Sequence, residues 1–196
     1  MIREIVELGK PLLRTVSRPV DDPTGPAAAA LSRDLLDTLH DFQRRTGYGR
    51  GIAAPQIGVM ERMVVIDIPR ESVSQAPYGA SVSQAPSAAS LLPPMPLTLV
   101  NPVISERSPE TTLIWDACFS YWGLFFQVAR ARRVTIDYHD LAGLSRRLQA
   151  EGDFAELLQH EIDHLDGILA IDLIADPRSL CTVREYERRA GLRRDD

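Results

Sequence analysis

The chain has 196 residues, of which 44% are hydrophobic, and a net charge of −5. This length and composition fit one globular domain over residues 1–196, and the acidic balance argues against nucleic acid as a direct partner. No apolar run approaches the roughly 20 residues that cross a membrane. Residues 1–4 contain no apolar signal segment and the chain has two cysteines, so we expect a protein of the reducing cytoplasm.

The first third of the chain predicts one long helix and one strand. Residues 27–45 form an amphipathic pattern, and Gly47 follows them as a stop signal. Residues 63–68 form a short apolar run, which is typical of a buried strand. The apolar side of the helix consists of Leu31, Leu35, Leu39 and Phe42.

Between this helix and this strand, residues 49–56 combine two glycines, small residues, a proline and Gln56. Glycine lets a backbone come close to a ligand. The Gln56 amide could donate a hydrogen bond to a developing oxyanion, a frequent source of rate enhancement. An ordinary turn has the same composition, so this segment alone does not identify a site.

Residues 69–94 form a low-complexity insert rich in Ser, Ala and Pro. The sequence Ser-Val-Ser-Gln-Ala-Pro occurs at residues 72–77 and again at residues 81–86. Such a composition cannot bury enough apolar surface to build a core, so we expect a surface loop. The alternative is a lid over an active site, because long loops near sites sometimes serve as lids.

The rest of the chain predicts mostly strands. They outnumber the helices and do not alternate with them, which favours an α+β fold of mostly antiparallel sheets over a doubly wound sheet. We expect the sheets to pack around a second helix from Asp153 to Asp166, and a charged helix over residues 183–194. The predicted strands cover residues 97–104, 111–116, 125–128, 133–138 and 144–148.

The second helix carries the most informative pattern, His160-Glu161-Ile162-Asp163-His164. Residues four apart share one face of a helix, so His160 and His164 can bind one metal ion. Glu161 lies beside the first of them and can serve as a general base. The chain has four histidines, and the ligand spacing of two of them favours a metal site over a solvated helix face.

A hydrolytic metal centre of this kind needs a third protein ligand. A third histidine in the metzincin manner is excluded, because Ala170 stands at that position. The remaining candidates are His40, His139, Cys118 and Cys181. Cys118 follows a predicted strand, and a thiolate suits Zn(II) or Fe(II). The alternative for this residue is a buried free cysteine that packs as a small apolar side chain.

Together these segments resemble the peptide deformylase family, which carries G-x-G-Φ-A-A-P-Q, E-G-C-L-S and H-E-x-D-H in this order. Residues 49–56 and 160–164 match the first and third motifs. The resemblance extends over residues 5–172, approximately. In the second motif Cys118 and Ser120 are kept, whereas the other three positions hold Asp116, Ala117 and Phe119.

The resemblance implies a hydrolase that removes the N-formyl group from the N-terminal methionine of nascent peptides and releases formate. Glu161 would act as the general base, and the Gln56 side chain and the backbone N–H of Phe119 would hold the oxyanion. The natural metal is expected to be Fe(II), with Zn(II) or Ni(II) as alternatives. The metal ligands that the resemblance implies are Cys118, His160 and His164.

The resemblance also implies how partners bind. An N-formylated peptide is expected to add as a strand along Gly49, Gly51 and Ile52. In the family a C-terminal helix can contact the ribosome, so the ribosome is a predicted partner of the helix over residues 183–194.

Two departures from the family bear on substrate choice. Glu156, one turn before His160, stands where the family usually has Arg or an aliphatic residue, which predicts an acid in the substrate pocket. The alternative is a capping box in which Glu156 pairs with Asp153. Asp116 is one methylene shorter than Glu, so any salt bridge that it forms, for example to Arg130, must have a different geometry from that of the family.

These departures leave two rival functions open. One is a metalloamidase or peptidase with another substrate, and the other is a weakly active deformylase-like metal-binding protein.

Overall fold

The computed structural model describes residues 1–68 and 92–192. Most of the predicted insert at residues 69–94, including its repeat, lies outside the described residues, so the surface loop and the lid stay predictions. The helices of the described chain are α1 (Pro26–Thr46), α2 (Asp153–Leu165) and α3 (Val183–Arg189). The strands are β1 (Gly51–Ala53), β2 (Met63–Ile66), β3 (Leu97–Arg107), β4 (Thr111–Asp116), β5 (Leu124–Ala131), β6 (Arg133–His139), β7 (Ser145–Glu151) and β8 (Cys181–Thr182).

The strands form two sheets. One has five strands in the order β1-β2-β3-β6-β7, and the other has three strands in the order β4-β5-β8. Every pairing between these eight strands is antiparallel. The α+β fold predicted from the sequence is therefore confirmed. Strand β1 lies at one edge of the larger sheet, where an added strand can pair with it.

Helix α1 confirms the first predicted helix. It begins at Pro26, a residue that fits the first turn because its missing N–H has no helical partner there. It ends at Gly47, whose φ of 75° is the left-handed conformation that closes many helices. The apolar side of α1 packs on the first two strands of the larger sheet, so the segment that follows α1 runs directly into β1.

Helix α2 is buried over almost its whole length, and all residues from Phe154 to Leu165 are buried. Its apolar residues Leu158 and Ile162 belong to a core cluster with strands of the larger sheet. The helix also contacts β5 of the smaller sheet. The polar side chains of this helix are therefore held in a buried environment.

The predicted capping box at the start of α2 is wrong. The residue before the helix is Gly152, which has a φ of 62°, and no side chain caps the helix start. The backbone N–H of Glu156 donates to the carbonyl oxygen of Gly152 instead. The Glu156 side chain is therefore available for another contact, which is described below.

Helix α3 is shorter than the predicted helix over residues 183–194 and ends at Arg189. It begins after Thr182, whose hydroxyl accepts from the backbone N–H of Glu185 at 3.3 Å. The Glu185 side chain pairs with Arg188 and Arg189, as expected for a solvated helix with paired charges. No helix within residues 1–68 and 92–192 has the length and apolar character to cross a membrane.

Candidate metal centre

Three buried side chains converge between α2 and the end of β4. The ligand atoms of Cys118, His160 and His164 all lie within 4.8 Å of one another. The Cys118 Sγ atom lies 3.2 Å from His164 Nε2. Two imidazoles and one thiol form a soft, compact donor set that suits a divalent ion such as Zn(II) or Fe(II). The residues therefore fit the kind of metal centre that the sequence predicts.

The other candidates for the third ligand lie outside this cluster. His40 pairs with Asp67 at 2.6 Å, and His139 lies at the end of β6, 3.4 Å from the hydroxyl of Ser145. Cys181 lies on β8, where it pairs with Phe125 of β5. Among the described residues, Cys118 is the cysteine that reaches both histidines of α2.

Asp116 contacts His160 on the side of the ring that faces away from Cys118 and His164, and it is held there by Arg130. Its Oδ1 lies 2.8 Å from His160 Nδ1, and its Oδ2 accepts from Arg130 Nη2 at 3.2 Å. Arg130 also donates to Asp163 from its other terminal nitrogen. Burial alone would raise the pKa of Asp116, but the charges of His160 and Arg130 outweigh it and lower that pKa to about 2. Asp116 is therefore placed, as a carboxylate, to orient the His160 ring.

This arrangement confirms the predicted Asp116–Arg130 pair and adds two contacts that the sequence analysis missed. The contact of Asp116 with His160 has no signal in the sequence, because the two residues lie on different elements. The contact of Asp163 with Arg130 has a weak signal. Asp163 is the fourth residue of the His-Glu-x-Asp-His pattern. An acidic side chain on a buried helix needs a basic partner.

We expect Asp116→Asn to lower the free energy of unfolding by about 2 kcal/mol, because it removes a charged hydrogen-bond acceptor from a buried network. Urea denaturation of the wild type and the variant measures this. The matched control is Glu110→Gln, since Glu110 pairs with Arg133 at 3.4 Å with more than half of both side chains exposed. An exposed pair contributes at most about 1 kcal/mol. Equal losses in both variants would contradict the structural role given to Asp116.

Gln56 is fixed beside the cysteine. Gln56 is 1% exposed, and its Oε1 accepts a hydrogen bond from the backbone N–H of Ala53 at 2.8 Å. Its Nε2 donates to Cys118 Sγ at 3.3 Å. The first contact fixes which way the amide points, so its N–H donors face the Cys118 side of the three candidate ligands.

Glu161 is buried next to His160 on α2, and its Oε2 has no hydrogen-bond partner among the described residues. Burial raises the pKa of Glu161 to about 7. A carboxylate with such a pKa exchanges protons readily near neutral pH, which is the requirement for a general acid–base group. The geometry leaves this oxygen free to accept a proton inside the site.

The glycines of the first motif are required by close contacts. A Cβ atom on Gly51 would lie 2.9 Å from Glu161 Oε1 and 2.7 Å from Ile66 Cδ1. A Cβ atom on Gly49 would lie 2.7 Å from the tip of the Phe119 ring, and Gly49 has a φ of 113°. Phe119 is itself stacked on Phe42 of α1, with ring centroids 3.9 Å apart. Only glycine at these two positions lets the segment pass so close to the site.

Eight of the ten predicted site residues line one cleft. His164 does not line the cleft but belongs to the Cys118–His160–His164 cluster. Ile52 is fully buried, and its side chain belongs to the core between α1 and the larger sheet, so it can contact a peptide only through its backbone.

Ala117 also lines the cleft. Asn101 is the one non-glycine residue in the described ranges with a positive φ, so Ala117 carries no left-handed strain.

Glu156 lies in the cleft, as the pocket interpretation predicted, and it has a partner that the sequence analysis missed. Arg50 Nη2 donates to Glu156 Oε2 at 2.7 Å. Burial raises the pKa of Glu156, and the Arg50 charge opposes that rise. The sequence offered one signal for this contact. Arg50 lies between Gly49 and Gly51, which have no side chains, so it is the residue of this short stretch that can form a side-chain contact.

Comparison with known proteins gives one consistent result. The family model for polypeptide deformylase matches residues 2–179. A peptide deformylase of Roseiflexus sp. strain RS-1 is 37% identical over 190 residues, which cover 94% of both chains. The crystal structure of a peptide deformylase from Thermotoga maritima superposes with a TM-score of 0.71 at 27% identity, covering 90% of this chain and 99% of that one. A Met-Ala-Ser-bound peptide deformylase from Acinetobacter baumannii gives a TM-score of 0.71 at 26% identity and covers 89% of this chain and 99% of its own.

Proposed function

The chain belongs to the peptide deformylase family, and on this premise we propose that it removes the N-formyl group from the N-terminal methionine of nascent peptides and releases formate. One observation carries the proposal: Cys118 and His160, which form a compact donor cluster with His164, line the same cleft as Glu161 and Gln56. We propose residues 1–196 as one catalytic domain. We place it in the cytoplasm, where nascent peptides are made.

The ligand set we propose is Cys118, His160 and His164, with Fe(II) as the native metal and Zn(II) or Ni(II) as alternatives. A divalent ion bound there would polarise the formyl carbonyl and make water a better nucleophile near neutral pH. Asp116 would keep the His160 ring in its ligating orientation. The soft thiolate and the two imidazoles support Fe(II) and Zn(II) equally, so the preference for Fe(II) rests on the family.

The proton transfers fall to Glu161. It takes a proton from the attacking water as the new C–O bond forms, and it gives a proton to the amine nitrogen as the C–N bond breaks. The Gln56 amide donates to the formyl oxygen as negative charge develops there. The backbone N–H of Phe119, next to Cys118 in the chain, is the second donor we propose. Formate and a free α-amine leave the site.

The peptide binds, in this proposal, along the free edge of β1. Among the strands of residues 1–68 and 92–192, β1 pairs with β2 on one side and lies at the end of the sheet on the other. Gly49, Gly51 and the backbone of Ile52 line that edge, and the two glycines allow a second chain to approach closely. The relative that holds Met-Ala-Ser supports a short peptide as the ligand class. Contact of α3 with the ribosome stays a prediction.

The direct test is formate release from formyl-Met-Ala-Ser by protein loaded with Fe(II) under anaerobic conditions. We expect a kcat of about 1–1000 per second, the usual range for enzymes. Acetyl-Met-Ala-Ser is the matched control, because it differs by one methyl group at the reacting carbon. A fully metal-loaded protein that releases no formate would overturn the proposal and favour one of the rivals, a metalloamidase with another substrate or a metal-binding relative with little activity.

We expect Gly51→Ala to lower kcat/KM on formyl-Met-Ala-Ser by about tenfold or more. The added Cβ would displace the Glu161 carboxylate, which it meets at 2.9 Å, and small displacements of a catalytic group cost large factors in rate. Steady-state kinetics measures the loss. The matched control is Gly47→Ala, because no atom lies within 4 Å of a Cβ there although its φ is 75°. That variant should lower the melting temperature and leave kcat/KM of the folded protein unchanged.

A further inference from the structure

Helix α3 contacts the segment that leads from α1 into the cleft. The Tyr48 hydroxyl donates to Glu187 Oε1 at 2.7 Å, although the two residues are 139 positions apart in the chain. Tyr48 directly precedes Gly49, which lines the cleft. Burial and the hydrogen bond to Glu187 raise the pKa of Tyr48 well above its ordinary value, so the phenol keeps the proton that it donates. A residue of α3 therefore holds the residue next to a wall of the cleft.

An aromatic cluster joins the same regions of the molecule. Its rings contact one another in an unbroken series from the cleft to α3. The members of the series are, in order, Phe119, Phe42, Trp122, Tyr48, Phe125 and Tyr186. At one end, a Cβ atom on Gly49 would lie 2.7 Å from the Phe119 ring. At the other end, Tyr186 stacks on Phe125 with ring centroids 4.2 Å apart. Tyr48 thus lies in a packed path between the cleft and α3.

Docking of α3 on the fold does not require the contact between Tyr48 and Glu187. Tyr186 is 1% exposed and stacks on a ring of β5. Strand β8, which directly precedes α3, pairs with β5, and the backbone N–H of Val183 donates to the carbonyl oxygen of Gly123 at 2.8 Å. These contacts attach α3 to the smaller sheet. The Glu187 contact is made instead with the segment that enters the larger sheet, so it has a different role from docking.

The segment between α1 and β1 gains most from such a contact. Tyr48 lies between two glycines that both have a positive φ, and glycine loses more conformational freedom on folding than any other residue. Two other contacts hold the segment: Thr46 Oγ1 accepts from the backbone N–H of Tyr48 at 3.1 Å, and Gln43 Nε2 donates to the carbonyl oxygen of Gly49 at 3.1 Å. Both come from the last turn of α1. Glu187 therefore adds a support from a second element.

We propose that Glu187 is a positioning residue for peptide binding: through Tyr48 it fixes the Gly49 segment along which the peptide pairs, and it thereby couples α3 to the cleft. This inference rests on the proposed function, because that function places a peptide strand along Gly49. The proton transfers belong to Glu161 on α2, and the Phe119 ring has a separate support in its stacking on α1. Loss of the contact should therefore weaken peptide binding and spare the chemical steps.

A double-mutant cycle with formyl-Met-Ala-Ser as substrate tests the pair. Tyr48→Phe removes the hydroxyl and keeps the ring in the cluster, and Glu187→Ala removes the acceptor. We expect each change to raise KM by about threefold or more and to leave kcat within about twofold. The double variant should match either single variant, because the hydrogen bond can be lost only once. A hydrogen bond made directly to the ligand by a charged group would give about tenfold or more, whereas here Gln43 still holds Gly49.

Two further variants separate positioning from stability. Glu187→Gln keeps an oxygen that accepts from the phenol, so its KM should stay within about twofold of the wild type. Glu185→Ala is the matched control, because it removes a carboxylate of the same helix that pairs with Arg188 and Arg189, and its KM should be unchanged. Calorimetry with Met-Ala-Ser measures binding without turnover, and Kd should rise together with KM. Metal content and melting temperature establish that each variant is loaded and folded.

The outcomes separate the two proposals. If formate is released and both KM and Kd stay within about twofold in Tyr48→Phe and Glu187→Ala, the positioning role is wrong while the deformylase function stands. Additive effects of the two changes, or a fall in kcat at constant KM, would also overturn it. If the metal-loaded wild type releases no formate, the proposed function fails, and the Kd values of the same cycle decide the positioning role alone. A wild type that does not bind Met-Ala-Ser would overturn both.

Discussion

Replacing Glu161 by glutamine is expected to lower kcat on formyl-Met-Ala-Ser by roughly 100-fold or more, the usual scale for the loss of general acid–base catalysis. Glutamine keeps the size of the side chain but cannot accept a proton. The loss should be large here because Glu161 is 3% exposed and burial brings its pKa to about 7. A proton acceptor fixed in the cleft is therefore lost, and nothing in the variant replaces it at that position.

Four measurements make this expectation specific to proton transfer. Metal content and melting temperature of Glu161→Gln should equal those of the wild type, because Glu161 is not one of the three ligands. Peptide affinity should change little, since the carboxamide keeps the shape of the cleft. Glu110→Gln, the same chemical change at an exposed pair, should leave kcat intact. An unchanged kcat in Glu161→Gln would sink its assignment as the base.

The elements that the sequence predicted well are those with a local cause. The period of the apolar residues and the glycine after them placed α1 within a residue or so of its observed ends. The spacing of His160 and His164 placed two candidate ligands on one face of α2 for the same reason, because helical geometry alone fixes that relation. Such features need no knowledge of the rest of the fold.

Local sequence patterns do not predict contacts between segments that are distant in the chain. Cys118 had to be chosen from four candidates. Its position after a predicted strand, its thiolate chemistry and the family resemblance favoured it, but no helix or turn links it to α2. The contact of Asp116 with His160 depends on where β4 ends relative to that helix. Its orienting role follows from packing of the two elements, which the pattern of either one does not contain.

Glu156 shows how a local rule can suggest the wrong partner. An acid three residues after Asp153 fits a capping box, but that motif needs an extended residue with a capping side chain before the helix. Gly152, with its φ of 62°, provides neither. The actual partner, Arg50, is separated from Glu156 by 106 positions in the chain. The pocket interpretation was available from the stripe that Glu156 shares with His160, and the choice between the two required the fold.

Cys118→Ala is expected to cost the protein its metal while leaving it folded. Two imidazoles hold a divalent ion far more weakly than the complete set, and loss of an orienting partner alone already costs about 10- to 100-fold in metal affinity. The loss of a ligand should exceed that. Folding should survive, because Cys118 packs in a small cluster with Tyr121 and Phe126 and alanine removes a single sulfur atom.

Metal analysis after dialysis, together with melting curves, decides this prediction. Bound metal stabilises the native state in proportion to its affinity, so a chelator should lower the melting temperature of the wild type and have no effect on Cys118→Ala. Cys181→Ala is the matched control, because Cys181 is the other free cysteine and lies on β8 away from the histidines. It should keep the metal and the response to chelator. If Cys118→Ala instead retained stoichiometric metal, the thiolate would not be a ligand, and the centre would have to be completed by another group close to His160 and His164.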